Sequence, residues 1–281
     1  MRLRMLSVLT KLGFREGGTM YSTMERQIRQ TALMSLEERF AELQVLNAGW
    51  TRWARFYLSS GVDYSDEARS LAEFCVKGEQ NGNVFDPVEL AKEVSNILSA
   101  ENVRCAVGGS LALYLYAPAR MTKDVDFNVD ADEHDFHHIE RIFTRLGHSM
   151  TRAMPLSSTK VLPKHQHEKV YVSVLTFKGV RMDLFFNTCR ATQMALDRST
   201  IVSGLRFIAP ESLAHFKLFS QCNCENVVRG EARRARDYAD LALLATVKTL
   251  NFREVEENAK EVWGEDSCQV KVWKRLCENL G

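Results

Sequence analysis

The chain has almost no charge of one sign to spare: 37 Lys and Arg stand against 36 Asp and Glu over 281 residues, a formal net charge of +1. That balance excludes a global pull toward nucleic acid, so any contact with a polyanion has to come from a local patch. Long apolar runs are also missing. None approaches the roughly 20 residues a membrane helix needs, so no membrane attachment is expected and the chain is expected to be cytoplasmic. The N-terminal MRLRMLSVLTKLGFR is basic and free of acids until Glu16, but its apolar centre is too short for a secretory signal. It reads as a disordered lead-in, with Met20, Met24 or Met34 as alternative starts and a transit peptide as the reading for a eukaryotic source. Cysteines are few and scattered: seven, an odd number, at 75, 105, 189, 222, 224, 268 and 277. Such a set excludes a dense disulfide framework and reads as reduced thiols. Cys222-Asn223-Cys224 has no second pair at metal spacing, which argues against structural zinc.

What is present is an ordinary globular composition, 45% hydrophobic and 26% charged, at a length near the upper limit for one core. The most informative stretch is VRCAVGGSLALYLYAPARMTKDVDFNV, residues 103–129. It reads as a β-branched strand, a break at Gly108-Gly109-Ser110, an apolar helix, and an alternating strand carrying Asp124 and Asp126. Glycines without a Cβ let backbone N–H groups approach a phosphate at the start of the following helix. Period-two alternation puts Asp124 and Asp126 on one face and Val125 and Phe127 in the core. Two carboxylates on one face are a ready site for Mg²⁺.

Upstream, Leu33, Leu36, Phe40, Leu43 and Leu46 keep helical spacing behind the Ser35-Leu36-Glu37-Glu38 cap signal, and Trp50, Trp53, Phe56 and Tyr57 continue the stripe. Residues 65–76 are a further helix candidate, with Ala68, Leu71, Ala72 and Cys75 on one side. The polar stretch at 78–83 reads as a linker, and Asp86-Pro87 opens a helix through Leu98. Downstream, residues 132–146 read as an amphipathic helix with Phe136, Ile139, Ile142, Phe143 and Leu146 inward and His134, His137 and His138 on a solvated face. Residues 154–169 read as a loop. Residues 170–177 and 180–186 read as two strands joined by Lys178-Gly179. Asp183 is the only acid in the second, and a carboxylate in an apolar strand needs a partner; if that strand lies beside the Asp124/Asp126 strand, three carboxylates meet. Beyond Pro210 the chain turns helical. There Arg229, Arg233, Arg234 and Arg236 form a basic cluster open to two readings, an RNA-facing patch or a surface of i,i+4 pairs. Asp237 and Asp240 share a helix face and are expected to be architectural.

Gly109-Ser110, thirteen intervening residues and Asp124-Val125-Asp126-Phe127 resemble the signature of the nucleotidyltransferase superfamily with the DNA polymerase β-like fold. GGSLAL with Arg120, Thr122 and the two aspartates resembles more narrowly the AbiEii-type toxin branch. The resemblance implies an α+β fold: a nucleotidyltransferase core with a small mixed sheet flanked by helices at 83–206, an N-terminal helical extension at 1–82 and a C-terminal helical region at 207–281. It implies a transferase that moves a nucleoside monophosphate from an NTP to a hydroxyl with release of pyrophosphate. Asp124, Asp126 and Asp183 would be catalytic and hold Mg²⁺, as a two-ion site. Gly108, Gly109, Ser110, Arg120, Thr122 and Lys123 would bind the nucleotide. Lys217 and the Arg236-Asp237-Tyr238-Ala239-Asp240-Leu241 run match a lysine and an Arg-Asp-x-x-Asp-Leu sequence that recur in the branch, which makes Lys217 a triphosphate contact. The acceptor stays open between RNA, with tRNA foremost, a protein side chain and a small molecule; a cognate antitoxin or toxin partner is implied, and a nucleotide-binding regulatory module without turnover is the alternative.

Overall fold

Alternating apolar residues build one mixed sheet at the centre of the structure, a computed structural model that describes residues 26–60, 69, 72, 73, 75, 76, 86–118, 122, 124–132, 134–151, 154–155, 170–188, 190–222 and 227–280. Its strands are β1 (Cys105–Val107), β2 (Asp124–Val129), β3 (Ser149–Met150), β4 (Met154–Pro155), β5 (Tyr171–Phe177), β6 (Val180–Phe186), β7 (Thr200–Val202) and β8 (Leu205–Phe207). In space they run β3-β5-β6-β2-β1-β8-β7, with β4 on β5. β2 pairs parallel with β6 and β1 parallel with β8, while β1–β2, β5–β6 and β7–β8 are antiparallel. Both hairpins turn through two left-handed residues, Lys178 (φ 49°) with Gly179 (φ 79°) and Ser203 (φ 48°) with Gly204 (φ 83°). That turn suits the twist of paired strands.

Around the sheet lie α1 (Leu36–Ser59), α2 (Pro87–Ala100), α3 (Gly109–Tyr116), α4 (Phe136–Arg145), α5 (Arg190–Asp197), α6 (Pro210–Cys222), α7 (Val227–Leu244), α8 (Phe252–Trp263) and α9 (Cys268–Leu280). One sheet face presents Val125, Phe127 and Val129 from β2 and Met182, Leu184 and Phe186 from β6, all buried. Helix α4 covers it, setting Phe136 on Phe186 and Phe143 on Phe177 with ring centroids 6.2 and 6.3 Å apart. The start of α2 follows its sequence: the Asp86 carboxylate accepts from the N–H groups of Val88 and Glu89, and Pro87 stands where no helical N–H is needed.

Helix α1 belongs to the same core. Ser35 and Glu38 form a reciprocal capping box, and Phe40 meets Phe207 of β8 edge-on at 6.0 Å. The buried Arg39 donates from Nη1 to the carbonyls of Leu115 (2.6 Å) and Tyr116 (2.8 Å), and the Tyr116 hydroxyl donates to Ile208 O (2.7 Å). The carbonyl end of α3, which no intrahelical donor reaches, is thus tied to α1 and to the sheet.

Several expectations need correction. Leu33 and Leu46 are 81% and 44% exposed, so only Leu36, Phe40 and Leu43 of that stripe face inward. Leu146, expected inside, is 51% exposed because α4 ends before it. Helix α4 also starts later than the apolar pattern: the Asp132 carboxylate accepts from the N–H groups of His134 (2.7 Å) and Asp135 (3.1 Å), a local turn that competes with the helix. Within the expected loop, Met154–Pro155 pairs with β5. The β7–β8 hairpin was not anticipated, although Ile201-Val202-Ser203-Gly204 is a strand-and-turn signal. His137 pairs with Glu140 (3.1 Å) and is exposed, so the histidine face is solvated as read. Ala72 and Cys75 are buried as expected. The N-terminal lead-in, the 78–83 linker, Arg120, Lys123 and the side chains of Trp50, Trp53, Tyr57, Arg229 and Arg233 lie outside the described residues. Among the described residues Cys75, Cys105, Cys222, Cys268 and Cys277 form no disulfide, and no described helix is long and apolar enough to cross a membrane.

The C-terminal helices pack on α6, where His215 stacks on Trp263 at 4.2 Å with neither ring nitrogen partnered. Burial pushes its pKa down to about 3. Because the unfolded chain binds that proton below about 6.5 and the native protein does not, acid favours unfolding; between pH 7.5 and 5.5 His215 should remove about 1.4 kcal/mol of stability. Urea unfolding at the two pH values should show this excess loss in the native sequence and not in His215→Phe.

Candidate active site

The strand alternation that buries Val125 and Phe127 turns Asp124, Asp126 and Asn128 to the opposite face of β2. Register does the rest: Asp126 lies directly beside Asp183 of β6, and Asp124 beside Arg181. The three aspartates read from the sequence therefore come together on one face. The Thr122 hydroxyl donates to the Asp124 carboxylate and fixes its orientation, so Thr122 is engaged with a carboxylate rather than open to a phosphate. Arg181 was missed by the sequence reading, although its position two residues before Asp183 put it on the same face. Its Nε and Nη2 donate to the two oxygens of Asp183 at 2.8 and 3.0 Å. That side-on bond, the charge of Asp183, and the charges of Asp124 and Asp126 beyond it raise the guanidinium pKa above its usual value.

The glycine turn comes up against these acids. Gly109 opens α3 with φ +58°, and a Cβ there would stand 1.7 Å from Asp126 Oδ2. Gly108 is extended, but a Cβ there would meet Asn128 Nδ2 at 3.2 Å. Gly109 needs glycine, and Gly108 is closely packed, because the helix start lies directly on the carboxylate strand. Gly108 is the N-cap and offers no side chain to cap α3. With the partial positive end of the helix beside them, the N–H groups that follow form a natural anion seat. Ser110 is buried in that first turn.

Three hard oxygen donors in register fit a divalent metal. The buried Asn128 Oδ1, which has no hydrogen-bond partner among the described residues, leaves further acceptor capacity on the same face. Among the described residues no three acidic, His or Cys side chains are already gathered as a metal-holding group; Asp183 is instead engaged by Arg181.

Lys217 lies apart from this array in a buried ion cluster. Its Nζ meets Asp237 Oδ1 at 3.2 Å and Asp240 Oδ2 at 2.6 Å, and Ser220 donates to Asp237 Oδ2 at 2.6 Å. The cluster joins α6 to α7, which is the architectural role expected of the two aspartates. Phe216, the neighbour of Lys217, rests on Phe185 of β6 at 5.8 Å, so α6 borders the face that carries Asp183.

The sequence profile of the family described as nucleotidyl transferase AbiEii toxin, type IV TA system, matches residues 94–271, which span every element from α2 to the first residues of α9. The chain belongs to this family. The AbiEii match covers β1, the glycine turn, all three aspartates, Lys217 and the Asp237/Asp240 pair. Among solved structures, the antibiotic-resistance factor ANT(2'')-Ia aligns at 14% identity and TM-score 0.41, over 68% of this chain and 93% of that one. A nucleotidyltransferase-like protein from Paracoccidioides brasiliensis aligns at 15% and 0.36, over 68% and 90%. The Megavirus polyadenylate synthase aligns at 14% and 0.39, over 68% and 41%. No curated protein matches.

Two outcomes follow from this geometry. Gly109→Ala should cost about 1–3 kcal/mol, since a side chain is placed at positive φ and against Asp126; a thermal melt matching the native protein would contradict the close approach. Lys217→Met strands two buried carboxylates and should cost about 3–5 kcal/mol, read by urea unfolding, with Lys217→Met/Asp237→Asn/Asp240→Asn recovering part of it.

Proposed function

We propose that this protein transfers a nucleoside monophosphate from a nucleoside triphosphate to a hydroxyl, releasing pyrophosphate, as the toxin of a toxin–antitoxin pair. The observation that carries this reading is the pairing of Asp126 with Asp183 beside the uncapped start of α3. A phosphate seat and a carboxylate array then lie within reach of one substrate. The N–H groups at Gly109 and Ser110 hold the β- and γ-phosphates, and Arg120 and Lys123, which precede Asp124 in the sequence, are the cations the family resemblance assigns to the nucleotide. Asp124, fixed by Thr122, and Asp126 face the α-phosphorus. Asp183 accepts the proton of the attacking hydroxyl. The three carboxylates would hold Mg²⁺, as one ion or two, which supplies charge neutralisation for the triphosphate and the departing pyrophosphate. Lys217, with its ammonium held by Asp237 and Asp240, has the part of joining α6 to α7 rather than of touching the triphosphate.

The family supports an antitoxin as cognate partner. For the acceptor we favour an RNA end, tRNA foremost, with the arginine-rich run of α7 that contains Arg234 and Arg236 as the densest arginine cluster of the sequence. The low net charge makes that local patch the determinant of RNA affinity. A protein hydroxyl or a small molecule is the other acceptor class.

The test is transfer of label from each α-labelled nucleoside triphosphate, with Mg²⁺, to total RNA and to total cell protein. RNA should take the label, and Asp126→Ala should lower the rate by at least about a thousandfold, the scale expected when a metal carboxylate is removed from phosphoryl transfer. Label on protein would move the acceptor to that class. No label, with no Mg²⁺-dependent nucleotide binding, would reject nucleotidyl transfer; binding without transfer would leave a regulatory module.

A further inference from the structure

The four side chains that face one another across β2 and β6 form a two-by-two array. Asp124 lies opposite Arg181 and Asp126 opposite Asp183. Arg181 holds both oxygens of Asp183 side-on, at 2.8 and 3.0 Å. A fork-to-fork pair of this kind fixes the plane of the carboxylate as well as its charge. The two partners differ in exposure: the Asp183 side chain is 17% exposed and that of Arg181 is 60% exposed. The acid is therefore set in the sheet while the guanidinium comes to it from the solvent side on a flexible stem. The side-on bond is stronger than an ordinary surface contact, but the guanidinium end is open to water, so it can be displaced toward solvent without disturbing the sheet. A divalent cation among Asp124, Asp126 and Asp183 would need the same oxygens.

We propose that Arg181 is a positioning residue for Asp183 that competes with the divalent cation, aiming and neutralising the carboxylate until metal and nucleotide arrive and then yielding it. This inference rests on Asp183 being a metal ligand. The arginine sets the metal concentration at which the site assembles. It also keeps three adjacent carboxylates from repelling one another in the metal-free protein. A lysine could supply the charge there but not the side-on hold.

The experiment measures Mn²⁺ binding to the full chain by the electron paramagnetic resonance signal of free Mn²⁺, in the native sequence, Arg181→Met, Arg181→Lys and Asp183→Asn. Arg181→Met should bind Mn²⁺ on the order of tenfold more tightly, as expected when a competing charge in a half-solvated site is removed. Its melting temperature should fall without metal and recover with it. Arg181→Lys should lie between, and it decides the matter alone if the methionine variant does not fold. Asp183→Asn should weaken binding. Weakened Asp183→Asn with unaltered arginine variants would overturn the role of Arg181 and leave Asp183 as a ligand. Unaltered binding in Asp183→Asn would overturn the ligand role and this inference together, as would a lack of Mn²⁺ binding in every form.

Discussion

The site depends on the parallel register of β2 and β6. Parallel neighbours cannot be joined by a tight turn, so α4 and the strands that follow it carry the chain back before β6 can lie down. The apolar halves of the two strands, Val125-Phe127-Val129 and Met182-Leu184-Phe186, lock into the core under α4. A slip of one residue would turn Asp183 into that core and Leu184 out of it. The cost of burying a carboxylate and exposing a row of apolar side chains therefore enforces the pairing of Asp126 with Asp183. The hydrophobic face that stabilises the fold is also what aligns the acids on the other side.

The second constraint acts on α3 from both ends. At its start, Gly108 and Gly109 press the backbone against Asn128 and Asp126; at its far end, Arg39 and Tyr116 tie it to α1 and to the residue after β8. A phosphate seat made of backbone N–H groups is only as well placed as its helix. Arg39, 85 positions upstream of Asp124 in a segment read as an extension, thus contributes to the placement of the turn. The packing of Phe40 on Phe207 is part of the same clamp.

Much of this was legible because it rests on local rules. Period-two alternation marks the faces of β2 and β6, Lys178-Gly179 marks the hairpin of β5 with β6, Asp86-Pro87 marks the start of α2, and Ser35 with Glu38 marks the cap of α1. What stayed hidden depends on partners far apart in sequence. Nothing local says that Leu33, Leu46 and Leu146 miss the core, since periodicity marks a face without saying what covers it. That Lys217 meets Asp237 and Asp240 was one of several open pairings until α6 and α7 were docked. Arg181 was visible on the right face, yet a charged residue on a half-exposed strand reads first as solvated. The β7–β8 hairpin leaves only a faint mark, Ser203-Gly204 between strands of three residues each, too short for alternation to show.

Charge explains why an arginine belongs in such a place. Asp124, Asp126 and Asp183 with Arg181 carry a formal charge of −2, and a nucleoside triphosphate brings more of the same sign to a protein whose net charge is only +1. Long-range attraction cannot draw the substrate in, because the chain as a whole supplies almost none. In the proposed reaction binding would have to be driven locally, by the start of α3 and by a divalent ion. One divalent cation neutralises the array only if the carboxylates keep their shared face before it arrives. Like charges on adjacent strands would otherwise swing apart toward water. In the proposed sequence of events the array is held by a resident cation that a divalent ion can displace, and the long, solvent-exposed guanidinium of Arg181, on the same strand as Asp183, is placed for that part.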